Sequence, residues 1–264
     1  MDEIKQNKKE EISEKEKEPI FSEEKLGLAS ADIASVNAEK SSEIKEIPRR
    51  INFDKLREIQ RKIAQDVVLK DKIKKDKIKT IAGFDISYEQ DNAICAAVVL
   101  DMNSMEIIDK AYCEMKAPMP YVPTFLAFRD GPVILKTYEM LKIKPDVLMV
   151  EGHGILHPLK AGLACYISVS LKIPVIGVAK KLLSGYIKEN KIYIGDIARG
   201  EIVRTKEHAK PLFISSGGHI TTNVALDIVQ KCIRLPHKMP EPLHVAQKLS
   251  KARRDEIRQK NKKE

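Results

Sequence analysis

Asp146-Val147-Leu148-Met149-Val150-Glu151-Gly152-His153-Gly154-Ile155-Leu156-His157-Pro158 carries the strongest structural signal in this chain. The run from Asp146 to Val150 is short and apolar, as in a strand buried on both faces. It ends on a carboxylate, Glu151. Gly152 and Gly154 follow, which let the backbone turn sharply or approach a ligand closely. His157-Pro158 stands at the mouth of an expected helix. A carboxylate that leaves the carboxyl end of a buried strand into a glycine-rich turn sits where open α/β sheets bind ligands. The same residues also suit a plain strand-to-helix turn with an exposed Glu, so the flanking sequence has to decide.

Downstream, Ala161 to Leu171 reads as a helix and Pro174 to Ala179 as a second buried strand, ending at Lys180-Lys181. Tyr186 to Ile197 contains a hairpin signal at Lys188-Glu189-Asn190-Lys191, and Glu201 to Lys206 reads as one more strand. Pro211 to Ser215 is a last inner strand, entering Ser216-Gly217-Gly218-His219 and a helix from about Thr221 to Cys232. A final helix runs from Glu241 to about Lys260. Upstream, Thr80–Tyr88, Ala93–Leu100 and Met105–Met115 are strand-like runs joined by short polar turns, which implies antiparallel hairpins. Phe53, Leu56, Ile59, Ile63 and Val67 form an apolar stripe that predicts a helix over 52–74. Its Lys- and Arg-rich face suits solvent or a nucleic acid. Another helix is expected from Pro132 to about Lys142. Hairpin strands first and alternating helices and strands later give an α/β fold. The expected architecture is a ribonuclease H-like mixed sheet, three antiparallel strands followed by parallel strands, with helices on both faces. No repeat or linker divides residues 50–264, which read as one domain. Residues 1–49, rich in Glu, Lys and Ser, cannot bury enough apolar surface to offset their ordering entropy and read as a disordered tail.

Composition narrows the function. The chain of 264 residues carries a net charge of +9 and a pI near 9.2, which favours an anionic partner such as nucleic acid. Cys95, Cys113, Cys165 and Cys232 are far apart and form no C-x-x-C pair, which argues against a zinc knuckle or a disulfide framework. A reducing, cytoplasmic location is expected. No apolar run nears the ~20 residues that span a bilayer. Met1-Asp2-Glu3-Ile4-Lys5 is charged at once, unlike a signal peptide.

The chemistry centres on acids. Asp85 sits within the first strand between Phe84 and Ile86, where a carboxylate is costly to bury without a cation. If that strand lies parallel to the one ending at Glu151, the two carboxylates converge on one end of the sheet. Paired carboxylates repel unless a cation lies between them, and an oxygen-rich site suits Mg²⁺ or Mn²⁺. Asp130 is a third candidate acid. His157 suits water or phosphate, or an ordinary turn. Lys180, at the end of its strand, suits a phosphate or bulk solvent. Tyr121, held in Pro120-Tyr121-Val122-Pro123, is poorly placed for a core and suits presentation to solvent. Ser215 to His219 before a helix could cradle a phosphate, but the spacing is not that of a nucleotide P-loop. No G-x-S-x-G elbow supports a serine hydrolase.

These motifs together resemble the endonuclease V family from about residue 52 to about residue 250. The pieces are Ala82-Gly83-Phe84-Asp85, Pro120-Tyr121-Val122-Pro123, Phe128-Arg129-Asp130-Gly131-Pro132, Glu151-Gly152-His153-Gly154 with His157-Pro158, Ile176 to Leu183, and Pro240-Glu241-Pro242. The resemblance implies a Mg²⁺-dependent DNA repair nuclease that hydrolyses the second phosphodiester bond 3′ to a deoxyinosine. It implies that Asp85 and Glu151 hold metal and that Asp130 assists them. Tyr121 would be the wedge that replaces a flipped base, and Gly152 and Gly154 would line the base pocket. His157 and Lys180 would act at the scissile phosphate, and His219 would contact substrate as the basic residue of the last motif. The chain departs from the family's usual pattern by having Asp at 130 in place of Glu and Glu at 151 in place of Asp. The partners implied are deoxyinosine DNA or inosine RNA, and a monomer is expected. The alternatives are an inosine-specific ribonuclease and an inosine-binding module weakened by the two acid swaps.

Overall fold

Strand β1 (Thr80–Glu89) and strand β2 (Asn92–Asp101) form a hairpin in unbroken register, from Thr80 opposite Asp101 to Glu89 opposite Asn92. A two-residue turn closes it, with Gln90 at φ +51°. Strand β3 (Ile107–Lys116) adds antiparallel to β2. Helix α1 (Phe53–Asp66) precedes this hairpin, and helix α2 (Leu126–Met140) follows it. Strand β4 (Val147–Glu151) then pairs parallel to β1. Helix α3 (Leu163–Leu171) crosses to strand β5 (Val175–Ala179), parallel to β4. A meander of β6 (Tyr186–Lys188), β7 (Lys191–Ile194) and β8 (Ile197–Val203) leads to β9 (Leu212–Gly218). Helices α4 (Thr222–Lys231) and α5 (Glu241–Lys260) close the chain. This computed structural model describes residues 51–262, so the segment expected to be disordered lies outside the described residues. Arg57–Glu264 form one compact unit.

The nine strands make one mixed sheet in the order β3-β2-β1-β4-β5-β9-β8-β7-β6. On one face, Ile81, Val98, Met149, Ile176 and Ile214 pack with residues of α4 and α5, such as Ala225, Val229, Leu243 and Ala246. Side chains alternate across a strand, so Gly83, Asp85 and Ser87 share the face of Ile81. A Cβ on Gly83 would lie 2.1 Å from the Pro242 carbonyl oxygen, so α5 sits directly on β1. Tyr88 points the other way and reaches Asp130 of α2. Helices α2 and α3 pack closely: a Cβ on Gly131 would meet the Tyr166 ring at 2.4 Å. The four cysteines are free and buried. No helix among the described residues is long and apolar enough to cross a membrane.

Three details correct the expectations from sequence. The later strands are not all parallel, because β9 runs antiparallel to β5 and to β8. Parallel neighbours need a long crossover, whereas β5 reaches β9 through the β6–β8 meander. The first helix stops at Asp66 rather than near residue 74. Beyond it the backbone pairs with the segment after β9, His219 donating to the Val68 carbonyl and Lys72 to the His219 carbonyl. Helix α2 begins at Leu126 and contains Pro132, so Asp130 rides on its second turn instead of in a loop.

Candidate active site

The parallel register of β1 and β4 pairs Gly83 with Met149 and Phe84 with Val150. One residue further on, Asp85 and Glu151 are neighbours on the face covered by α5. The two acids therefore meet as the sequence implied. Both line a cleft of ≈ 490 Å³ with Asp130, Tyr121, Arg129 and Lys180. Lys180 follows β5 at the same carboxyl edge, and its Nζ donates to Glu151 Oε2 at 2.7 Å. Burial pushes the Asp85 carboxyl up from 3.8 to about 6, and the Glu151 charge adds to that rise. The Ser250 hydroxyl opposes it by donating to Asp85 Oδ2 at 2.5 Å. Ser87 and Ser250 hydroxyls stand 2.9 Å apart, which ties β1 to α5 behind the acid. Asp130 is likewise pushed up to about 6 by burial, against the Tyr88 hydroxyl that donates to its Oδ1 at 2.5 Å.

Arg129 organises the outer wall. Its guanidinium carbon lies 3.8 Å from the Tyr88 ring centroid and 5.8 Å from that of Tyr121. Cation–π attraction over this range steadies an exposed ring, and Tyr121 is 61% exposed. Behind Tyr121, the carbonyl of Thr124, a residue at φ +70°, accepts from Gln60 Nε2 at 2.6 Å and from His157 Nε2 at 3.0 Å. His157 Nδ1 accepts from the Leu159 amide at 3.2 Å. Both ring nitrogens are thus engaged, which fixes the Nε2–H tautomer of a neutral imidazole. Burial lowers the pKa of His157, in line with that state. His157 is therefore built into the support of the Tyr121 loop.

A second cleft of ≈ 510 Å³ shares Tyr121, Leu126, Glu151, Leu163 and Lys180 with the first. Gly152, Ala179, Leu182 and Leu183 add a largely apolar lining, with His157 at the wall. Gly152 lines this cleft, but Gly154 does something else. A Cβ on Gly154 would lie 2.0 Å from the Ser216 carbonyl oxygen, and its amide donates to Ser215 Oγ at 2.9 Å. Gly154 lets the turn press onto β9. His219 is not brought to either cleft. The β5–β9 register places Gly218 opposite Val175, at the start of β5, whereas Lys180 lies past its end. His219 Nδ1 is 3.0 Å from Ser168 Oγ at that opposite edge. Ser215, Ser216 and Gly217 lie inside β9, so they form no phosphate cradle.

Sequence reading missed Tyr88, Arg129, Ser250, and the Gln247, Lys251 and Arg254 that line the acidic cleft. The last three had a visible signal, since spacings of four and three place them on one face of a helix. Among the described residues, no group of three or more His, Cys, Asp or Glu side chains is placed to hold a metal. An ion here would draw on two carboxylates and on oxygens from water or substrate.

Asp85, Asp130 and Glu151 gathered on a ribonuclease H-like mixed sheet, with Lys180 and Arg129 beside them, make a site of the class suited to phosphodiester chemistry. The endonuclease V family profile matches residues 61–248, and the chain belongs to that family. An endonuclease V from Methanopyrus kandleri is 40% identical over 202 residues, covering 74% of this chain and 86% of the relative. The endonuclease V structure from Bacillus subtilis superposes with a TM-score of 0.73 at 29% identity, covering 81% of this chain and 96% of that one. A structure of Ciona intestinalis endonuclease V, in complex with a 24mer DNA containing an inosine followed by a ribo-adenosine, shares the fold. Its TM-score is 0.72 at 24% identity, over 78% of this chain and 98% of that one.

Proposed function

We propose that this chain is a Mg²⁺-dependent DNA repair endonuclease that hydrolyses the second phosphodiester bond 3′ to a deoxyinosine. The observation that carries this reading is the junction of two clefts, one acidic and one largely apolar, at Tyr121, Glu151 and Lys180. A flipped purine needs an apolar slot that leaves room for its ring, and a scissile phosphate needs acids and cations beside it. Gly152 leaves that room on the apolar side. Tyr121, exposed and backed by Arg129, fills the gap left in the base stack. The Thr124 anchors hold its loop in place before substrate arrives.

Mg²⁺ binds through one or two carboxylates and keeps waters or phosphate oxygens for the rest of its shell. Asp85 and Glu151 fit that habit. Burial and the Glu151 charge raise the Asp85 carboxyl to about 6, so a cation seated beside both acids would favour their charged forms. Bound there, the ion would supply charge stabilisation at the phosphate and make water a better nucleophile. Lys180 and Arg129 orient the phosphate, and Tyr88 holds Asp130 toward it. Mn²⁺ has the same ligand preference.

The test uses a labelled duplex with one deoxyinosine. The purified protein with Mg²⁺ is expected to leave a single nick at the second bond on the 3′ side, and chelation is expected to abolish it. No cleavage of deoxyinosine DNA or inosine RNA with Mg²⁺ or Mn²⁺ would refute the nuclease reading. Binding without turnover, restored to turnover by Asp130→Glu together with Glu151→Asp, would make the chain an inosine-binding module. Faster cleavage of inosine RNA than of matched DNA would make it a ribonuclease.

A further inference from the structure

Past Leu183, which closes the apolar cleft, the chain enters the β6–β7 hairpin at the outer end of the sheet. Its inner face is explained by packing. Ile192 is fully buried and packs with Leu156, Ala179 and Phe213. Its outer face is not explained that way. Tyr186 pairs with Tyr193 and Lys188 with Lys191, so alternation brings all four to one side. The two tyrosine rings stack, 5.6 Å between centroids and 16° between planes. Tyr186 is nevertheless 52% exposed. A Cβ on Gly185 would lie 2.2 Å from the Tyr193 carbonyl oxygen, so the chain leaving the cleft runs directly against the platform. Leu183 and Tyr186 are three residues apart, within about 11 Å by chain reach.

We propose that this outer face is a second nucleic-acid contact, taking an unpaired nucleotide of the strand that leaves the clefts. The proposal rests on the nuclease reading for the identity of that strand. Stacked aromatic rings next to lysines are the general means of holding single strands without reading sequence. The tyrosines offer a π-face to a base, and Lys188 and Lys191 neutralise its phosphates. Glu201 lies opposite Lys191 in the β7–β8 pairing, yet among the described residues neither lysine is held by an ion pair. The chain's net charge of +9 favours the same polyanion. A cross-strand tyrosine pair also stabilises a hairpin, so the test has to separate binding from folding.

Hypoxanthine-containing single strands with minimal or long flanks are titrated by fluorescence anisotropy, with Ca²⁺ in place of Mg²⁺. Tyr186→Ala and Tyr193→Ala are expected to weaken binding of the long-flank strand about tenfold and to leave the minimal strand unchanged. Tyr186→Phe keeps the π-face and is expected to stay within about twofold of wild type. Lys188→Ala with Lys191→Ala is expected to reduce the slope of log affinity against log salt by about 1.4. None of these variants is expected to change the single-turnover rate at saturating substrate. Wild-type affinity of both tyrosine variants for the long strand would overturn the proposal. So would an equal loss on minimal and long strands, which would mean that the hairpin acts only through stability. A wild type that shows no preference for hypoxanthine and makes no nick, but still has tyrosine-dependent flank binding, would remove the nuclease reading and leave this surface standing.

Discussion

Asp85→Asn tests the electrostatics of the site without relying on turnover. Asp85 is 9% exposed, and burial raises its carboxyl from 3.8 to about 6. The folded chain therefore holds this proton more tightly than the unfolded chain does. Stability from this group is fully present below 3.8, falls as pH rises through the window up to about 6, and is flat above it. Asn resembles the protonated form and does not titrate. Two pKa units correspond to about 3 kcal/mol, so the variant's advantage should approach that bound at pH 8 and shrink to about 0.5 kcal/mol at pH 4. The Ser250 hydroxyl can still donate to the amide oxygen, and its stronger bond to the charged carboxylate is already contained in the net rise to about 6, so about 2–3 kcal/mol is the expected advantage at pH 8. Urea denaturation at pH 4, 6 and 8 with chelator present reads it directly. Adding Mg²⁺ should then raise the stability of the wild type and have less effect on the variant, since a ligand stabilises only the form that binds it. An Asn variant no more stable than wild type at pH 8, or equally advantaged at every pH, would rule out a burial cost on the Asp85 charge.

Gly154→Ala should destabilise the fold by about 3 kcal/mol or more, because its Cβ meets a carbonyl fixed in β9. Gly152→Ala meets the Leu163 side chain at 3.1 Å and should cost about 1 kcal/mol or less while weakening substrate binding. Equal stability losses, measured by thermal melts, would contradict this division of roles. His157→Ala should cost about 1–3 kcal/mol and raise KM more than it lowers kcat, since it frees the Thr124 carbonyl and loosens the Tyr121 loop. A collapse of kcat with unchanged stability would instead put His157 at the reacting atoms. Tyr88→Phe keeps a ring under Arg129 but removes the donor that lowers the Asp130 pKa. The acidic limb of its pH–rate profile should move to higher pH, and an unmoved limb would show that Asp130 need not be ionised.

The adjacency of Asp85 and Glu151 was legible because one acid sits within, and the other ends, a run of buried-strand character, and parallel pairing of the two runs brings them level. Tyr121 was legible because prolines on both sides exclude it from a core. The place of His219 was not, because Gly217-Gly218-His219 before a helix looks the same whether its strand runs up or down the sheet. Only the antiparallel pairing of β9 sends it to the far edge. The contacts of His157 were hidden for a related reason. Its partner, the Thr124 carbonyl, lies 33 residues away in sequence.

Most strands and helices, their order, the acids and the exposed Tyr121 could be read from the chain alone, because local periodicity and turn chemistry depend on near neighbours. Strand direction beyond β5, the different surroundings of Gly152 and Gly154, and the Tyr88, Arg129 and Ser250 contacts with the acids and Tyr121 follow from the three-dimensional fold. Those depend on which backbones meet. Burial then sets the charge cost of Asp85 and Asp130, a quantity that no stretch of sequence carries alone.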